Sequence, residues 1–175
     1  MTEAVFRSDI VVQLRKHMGD EDDIVEVAKV STEGPESRSS MSNSGLVRYL
    51  VREKHGVPLE AVVFRFYIEA PIFTTRQILK HRIASINEES GRYRELAGVF
   101  YVPSEERKLV QTGKTGDYNF VQGSPEQYEA LKFVLEKTGE ASWNNYEALL
   151  NMDISKEVAR MHLPVKYLFG DVYDY

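Results

Sequence analysis

Residues 124–149 constrain the fold more than any other stretch, because their pattern is met by one long helix. Ser124-Pro125-Glu126-Gln127 is a helix start, with proline at the first helical position, where its missing N–H is no loss. Tyr128, Leu131, Leu135, Thr138, Ser142, Asn145 and Leu149 then recur at steps of three and four. The phase survives Gly139, a residue that costs a helix about 1 kcal/mol relative to alanine, so one helix is expected rather than two.

The flanking segments alternate between strand and helix patterns. Residues 10–14 (IVVQL) form a short β-branched run, expected as a strand. Gly19 and the acidic run Asp20 to Asp23 follow, placing negative charge where a helix begins, with Ile24, Val27, Ala28 and Ser31 on one face. Residues 32–45 are dense in Ser, Gly, Pro and Asn and are expected as a loop. Leu46, Val47, Leu50, Val51 and His55 give an amphipathic helix that Gly56 and Pro58 end.

From Glu60 to Ala70 the alternation is strict, with Val62, Phe64, Phe66, Ile68 and Ala70 on one side of a half-buried strand. Pro71 closes it, and Thr74 or Thr75 is placed to cap a helix carrying Arg76, Gln77, Lys80 and His81. The stretch after Arg82 to Gly91 is expected as a loop, residues 99–102 as a strand, and residues 111–124, with three glycines, as a surface loop. Ile154, Val158, Met161 and His162 predict a last helix, with Arg160 on its polar side and Leu163-Pro164 as its stop. The expected fold class is α+β: antiparallel strands packed with one long helix and shorter helices, in a single domain over residues 1–175.

Composition excludes several chemistries. There is no cysteine, so disulfides, cysteine-held zinc and a thiolate nucleophile are all ruled out, and a reducing cytoplasmic setting is expected. The four histidines, His17, His55, His81 and His162, lack the H-x-H and H-x-x-x-H spacings of metal ligands, so no metal is expected. No apolar run approaches the roughly 18 residues that cross a bilayer. A net charge of −5 argues against general nucleic-acid binding.

Against that acidic background, residues 76–94 carry Arg76, Lys80, Arg82, Arg92 and Arg94 with only Glu88 and Glu89 opposed, a local +3. Guanidinium groups fork onto phosphate and carboxylate oxygens, so the island is a candidate anion site. The plainer account is a charged helix laced by weak surface ion pairs.

The order of residues in the island decides between them. Lys80-His81-Arg82, seven residues, then Ser90-Gly91-Arg92-Tyr93 resembles the R-H-R-x7-S signature of the flavin-dependent thymidylate synthases, with Lys80 in place of the first arginine. APIFTTRQ (70–77) and FYVPSEER (100–107) are also similar to that family's pattern, and the resemblance runs from about residue 10 to 165.

The resemblance implies an enzyme that makes dTMP from dUMP. Methylenetetrahydrofolate would give the carbon, and FAD reduced by NADPH the hydride. The fold would be mixed α/β and assembled as a homotetramer, with active sites at subunit junctions. It places Lys80, His81, Arg82, Ile83 and Glu88 at FAD, with Ser31, His55 and Val57 lining the flavin or folate side. It places Gln77, Ile78, Leu79, Lys80, Glu88, Glu89, Ser90, Gly91, Arg92 and the distant Arg160 at dUMP. Ser90 is assigned to binding, since no neighbour in sequence activates it as a nucleophile. No catalytic residue is assigned. Family chains continue past the segment matching Arg160 to Pro164 and carry there the arginine that polarises the uracil ring, so the domain is expected to be C-terminally incomplete. The alternative is a non-catalytic relative that keeps a flavin or nucleotide site.

Overall fold

A computed structural model describes residues 2–30 and 42–174. In chain order its elements are β1 (Val5–Arg7), β2 (Val11–Met18), α1 (Glu21–Val30), α2 (Asn43–Arg52), a 3-10 turn (Val57–Ala61), β3 (Val63–Pro71), α3 (Ile72–Ile78), β4 (Ser85–Glu88), β5 (Val99–Tyr101), β6 (Val110–Lys114), β7 (Asp117–Val121), α4 (Pro125–Asn151), α5 (Lys156–Ala159), a 3-10 turn (Arg160–His162) and β8 (Leu168–Asp174). Two compact units divide the chain: Met1–Val11, Glu69–His81 and Glu88–Asp171 form one, and Val12–Ile68, Arg82–Asn87 and Val172–Tyr175 the other. The mixed helix-and-sheet class expected from the sequence is the one observed.

The first unit is built on α4. A reciprocal cap starts this helix: the Gln127 amide donates to Ser124 Oγ at 3.3 Å, and the Ser124 amide donates to Gln127 Oε1 at 2.8 Å. The single helix expected through Gly139 is present, but its buried face holds Gly139, Trp143 and Tyr146 where the spacing had placed Thr138, Ser142 and Asn145. The hydroxyls of Thr138 and Ser142 instead donate back to helix carbonyls, Val134 O at 2.8 Å and Thr138 O at 2.7 Å. Glycine is required at 139 because a Cβ there would sit 2.7 Å from Phe6 Cε1.

Phe6 lies on β1, which pairs in parallel with β5 so that Phe6 stands opposite Phe100. This parallel pair departs from the expectation of antiparallel strands. The core is Leu96, Phe100, Trp143, Tyr146, Ala159 and Tyr167, with Phe6, Ile72 and Leu163 packed against it. Phe100 is fully buried between Phe6, 5.9 Å away between ring centres, and Tyr167, edge-on at 5.6 Å. The polar tips of the core aromatics are satisfied. Tyr146 Oη accepts from the Leu96 amide at 3.1 Å, Trp143 Nε1 donates to Thr2 O at 2.9 Å, and Tyr167 Oη donates to Ala97 O.

The loop expected over 111–124 is a β-hairpin. β6 and β7 pair antiparallel around Thr115-Gly116, with Gly116 at a φ of +87° that suits a tight turn. Both strands are almost wholly exposed, so neither shows the alternation that marks a half-buried strand.

In the second unit, Gly19 turns the chain from β2 into α1, whose Asp20 carboxylate accepts from the Asp22 amide at 2.8 Å. Ile24 and Val25 are its buried residues; Val27 is exposed, one position off the expected face. Ser42 caps α2 at the Gly45 amide, so the helix begins three residues before the expected Leu46 and ends at Arg52. His55 therefore lies past the helix, after Lys54 at a φ of 58°. β2, β3, β8 and β4 stand in that order in a four-stranded sheet. The start expected for β3 at Glu60 is a 3-10 turn, and the strand runs from Val63 through Pro71. Of the expected face, Ile68 and Ala70 are buried, Val62 and Phe66 only partly, and Phe64 is 41% exposed; Arg15 stacks over Tyr67 at 5.0 Å.

Two expected outcomes follow from these packings. Gly139→Ala gains helix propensity yet drives a methyl into Phe6, so the melting temperature should fall; a rise would contradict the packing. Burial, and after it Glu89 and Tyr146, hold the Tyr167 phenol above its ordinary range. A group whose folded value is raised contributes stability below its unfolded value, near 10, and loses it as pH climbs further. Urea midpoints should therefore fall above about pH 10, and less steeply in Tyr167→Phe.

Candidate functional site

The site is organised by a cavity of about 540 Å³ in the first unit. Arg76 and Leu79 reach it from the end of α3, Glu88 from β4, Leu96 from the following loop, and Glu157 and Arg160 from α5 and its 3-10 extension. Ile72, Met161 and Leu163 give it apolar wall. Arg76, Arg160, Glu88 and Glu157 thus line one space, a set with donors for an anion and acceptors for N–H groups.

Local structure explains how the chain delivers these groups. α3 has no side-chain cap: Pro71 precedes it, and the hydroxyl of buried Thr75 donates to Ile72 O at 3.1 Å. Neither threonine is the cap expected from the sequence. The helix ends at Ile78, and Lys80 and His81 continue in turns closed by bonds to Gln77 O at 3.2 Å and Ile78 O at 2.9 Å. Arg76 and Lys80 therefore do not share a helix face. Residues 85–88, expected within a loop, form β4. The Glu89 amide then donates to Gly170 O at 3.1 Å, which fixes the turn that follows.

That turn is tight around Ser90, whose carbonyl accepts from the amides of Tyr93 and Arg94, both at 3.3 Å. Ser90 Oγ accepts from the Arg92 amide at 3.4 Å, and among the described residues no histidine or carboxylate hydrogen-bonds to it. Gly91 is buried, and a Cβ there would lie 2.7 Å from Leu96 Cδ1 and 3.2 Å from Arg160 Cδ. Glycine here lets the aliphatic stem of Arg160 pass close to the backbone, which aims its guanidinium. Arg92 is not itself a lining residue but forms a forked pair with one, Glu157, Nε to Oε1 at 3.0 Å and Nη2 to Oε2 at 3.4 Å. Arg94 pairs with Glu89 at 3.1 Å. The Arg92–Glu157 pair is half-exposed on both sides, so it contributes at most about 1 kcal/mol and yields readily to a better anion, whereas in the other pair an exposed Arg94 meets a Glu89 that is only 23% exposed.

Of the residues singled out in the sequence, Leu79, Glu88 and Arg160 line the cavity. Gly91 packs behind Arg160. Gln77, Ile78, Lys80, His81, Glu89, Ser90 and Arg92 belong to the same unit but are not among its lining residues. His55, Val57, Arg82 and Ile83 belong to the second unit, and Ser31 falls outside the described residues. Val57 and Ile83 are 71% and 89% exposed, unusual for branched apolar side chains, and His55 meets Tyr49 edge-on at 6.1 Å. Lys80, His81 and Arg82 are exposed, and among the described residues none has an acidic partner. Sequence reasoning counted Arg76 in the basic island without giving it a binding role, and gave none to Leu96, Glu157 or Met161. Glu157 and Met161 stand four residues apart around Arg160, so a helical projection of 157–161 would have grouped them.

Comparison with known proteins adds a second line. The family model described as thymidylate synthase complementing protein matches residues 13–169. A flavin-dependent thymidylate synthase from Tropheryma whipplei is 46% identical over 173 residues, spanning 97% of this chain and 72% of that protein. One from Streptomyces avermitilis is 44% identical over 174 residues, spanning 96% and 70%. The crystal structure of the UMP/dUMP methylase PolB from Streptomyces cacaoi, bound with 5-Br UMP, superposes with a TM-score of 0.90 at 38% identity, over 99% of this chain and 74% of that one.

The packing behind Arg160 makes a structural prediction. Gly91→Ala should displace Leu96 or Arg160 and lower stability by about 1–3 kcal/mol, read from urea denaturation. An unchanged midpoint would mean that the close approach is not what sets the arginine.

Proposed function

This chain belongs to the thymidylate synthase complementing protein family, and from that premise we propose that it methylates dUMP to dTMP by flavin-dependent chemistry. The observation that carries the reading is the cavity in which Arg76 and Arg160 face Glu88 amid apolar wall. The two guanidinium groups hold the nucleotide phosphate through charge-assisted bonds. Glu88 accepts from the N–H of the uracil ring, which orients it. Buried Leu96, with Ile72 and Leu163, gives the base an apolar wall to lie against, while Leu79 and Met161 remain 46% and 80% exposed. Glu157 keeps Arg92 occupied until the nucleotide arrives, and Arg92 then joins the phosphate shell.

FAD is the flavin of the proposal. Consecutive Lys80, His81 and Arg82, exposed and without acidic partners among the described residues, fit its pyrophosphate. The family resemblance assigns Ile83 to the flavin and Ser31, His55 and Val57 to the flavin or folate side. When bound, the flavin supplies the hydride that turns a transferred one-carbon unit into a methyl group, with methylenetetrahydrofolate as carbon source and NADPH as reductant. The chain's own part is to bind, orient and desolvate. Lys80 in place of arginine keeps the charge but gives up the planar fork. A homotetramer completes the reading, supported by Val12, Leu14 and Met18 standing exposed along one side of β2.

Purified chain should show the absorbance of bound flavin on addition of FAD. With NADPH and methylenetetrahydrofolate it should form dTMP from dUMP, with UMP run alongside because PolB is a UMP/dUMP methylase. Binding of FAD and dUMP without any dTMP would leave the non-catalytic alternative standing. Arg160→Ala should weaken dUMP at least tenfold, and Arg92→Ala by a similar or smaller factor because Glu157 already occupies its guanidinium. Equal dUMP affinity in wild type and Arg160→Ala would remove the phosphate from this cavity. Lys80→Arg should bind FAD as well or better.

A further inference from the structure

A second cavity of about 460 Å³ in the first unit shares no lining residue with the first. Its walls are largely apolar, with Phe73, Tyr101, Leu135 and Val165 among them, and its charged residues are Arg107 and Lys166, both cations. No carboxylate lines it among the described residues.

Lys166 is the unusual member. Its residue is only 7% exposed, although lysine is among the side chains least often buried. Its Nζ donates to Leu135 O and to Thr138 Oγ1, the latter at 2.6 Å, both on α4. Its ammonium lies 6.0 Å from the centre of the Phe100 ring. Dipoles and a ring face are thus its compensation, and no acidic side chain pairs with it among the described residues. An ammonium has three N–H donors, and two are used. A buried cation without a counter-charge is expensive, and burial pushes the Lys166 pKa down from its ordinary value. Arg107 adds a guanidinium within 3.5 Å of Tyr101 Oη, and Tyr101 meets Phe73 edge-on at 5.8 Å. Phe73 itself remains 38% exposed, leaving ring surface for another aromatic group.

We propose that this cavity is a binding site for a small aromatic carboxylate, with the carboxylate paired to Lys166 and Arg107 and the ring seated against Phe73, Tyr101 and Leu135. A cavity of this size accommodates a two-ring ligand, and its few polar groups fix the orientation of an otherwise apolar body. Carboxylate is the favoured head group because it supplies the missing negative charge and presents two oxygens to one ammonium and one guanidinium.

The test uses 2-naphthoate and its uncharged isostere 2-naphthamide, titrated into the full chain by calorimetry. The acid should bind at least tenfold tighter than the amide, the scale of a charge-assisted contact. Lys166→Met keeps the buried stem and removes the charge, so it should abolish that preference, and Arg107→Gln should reduce it. Saturating dUMP should leave naphthoate affinity unchanged. Equal affinity for acid and amide in the wild-type chain overturns the proposal even if neither variant folds. So does an absence of binding at millimolar naphthoate, or displacement of naphthoate by dUMP.

Discussion

The structure depends on the contact between a glycine in the middle of α4 and the aromatic cluster laid over it. Gly139 lets Phe6 lie against the helix backbone, and Phe6 meets Phe100, which meets Tyr167. From that seat the core reaches both flanks of the first cavity. Tyr146 holds the Leu96 amide, which sets one wall, and Ala159, fully buried, sets the turn that delivers Arg160 and Met161. A side chain at 139 would lift β1 and β5 off the helix and disturb both walls together. The site is thus rigid where it binds and exposed where it charges, the arrangement expected of loops hung on a packed scaffold.

Charge is unevenly placed around the cavity. Arg92 and Arg94 are each neutralised by a glutamate at the surface, while Arg76 and Arg160 face the cavity and Lys80, His81 and Arg82 stand without acidic partners among the described residues. On the proposed function, a nucleotide entering an acidic chain would meet its attraction at these groups. The Arg92–Glu157 pair adds a condition. It is half-exposed on both sides, so on the proposed function it would open at little cost when a phosphate arrives.

Much of this was legible from the residues alone. The capping residues and the uninterrupted phase announced α4, the alternation after Val62 announced β3, and the K-H-R-x7-S order announced the family. What escaped had physical causes. Thr138 and Ser142 fit the helical stripe by spacing, but their hydroxyls are satisfied by helix carbonyls and the core runs through Gly139 and Trp143 instead. The β6–β7 hairpin is exposed on both faces, so no hydrophobic period marks it. β4 is a strand because it pairs with β8 at the edge of the sheet, against a polar local sequence. Arg76 stood in the basic island and Glu157 and Met161 flank Arg160 at helical spacing, but nothing local says that α3 and α5 converge on one cavity.

The claim that most needs testing is that the nucleotide lies in the cavity lined by Arg76, Glu88 and Arg160. Crystals of the chain soaked with 5-bromo-dUMP would locate the base directly through the anomalous scattering of bromine. The account predicts a single strong peak inside that cavity, beside Leu79, Leu96 or Met161. A peak anywhere outside it would contradict the assignment of the substrate site.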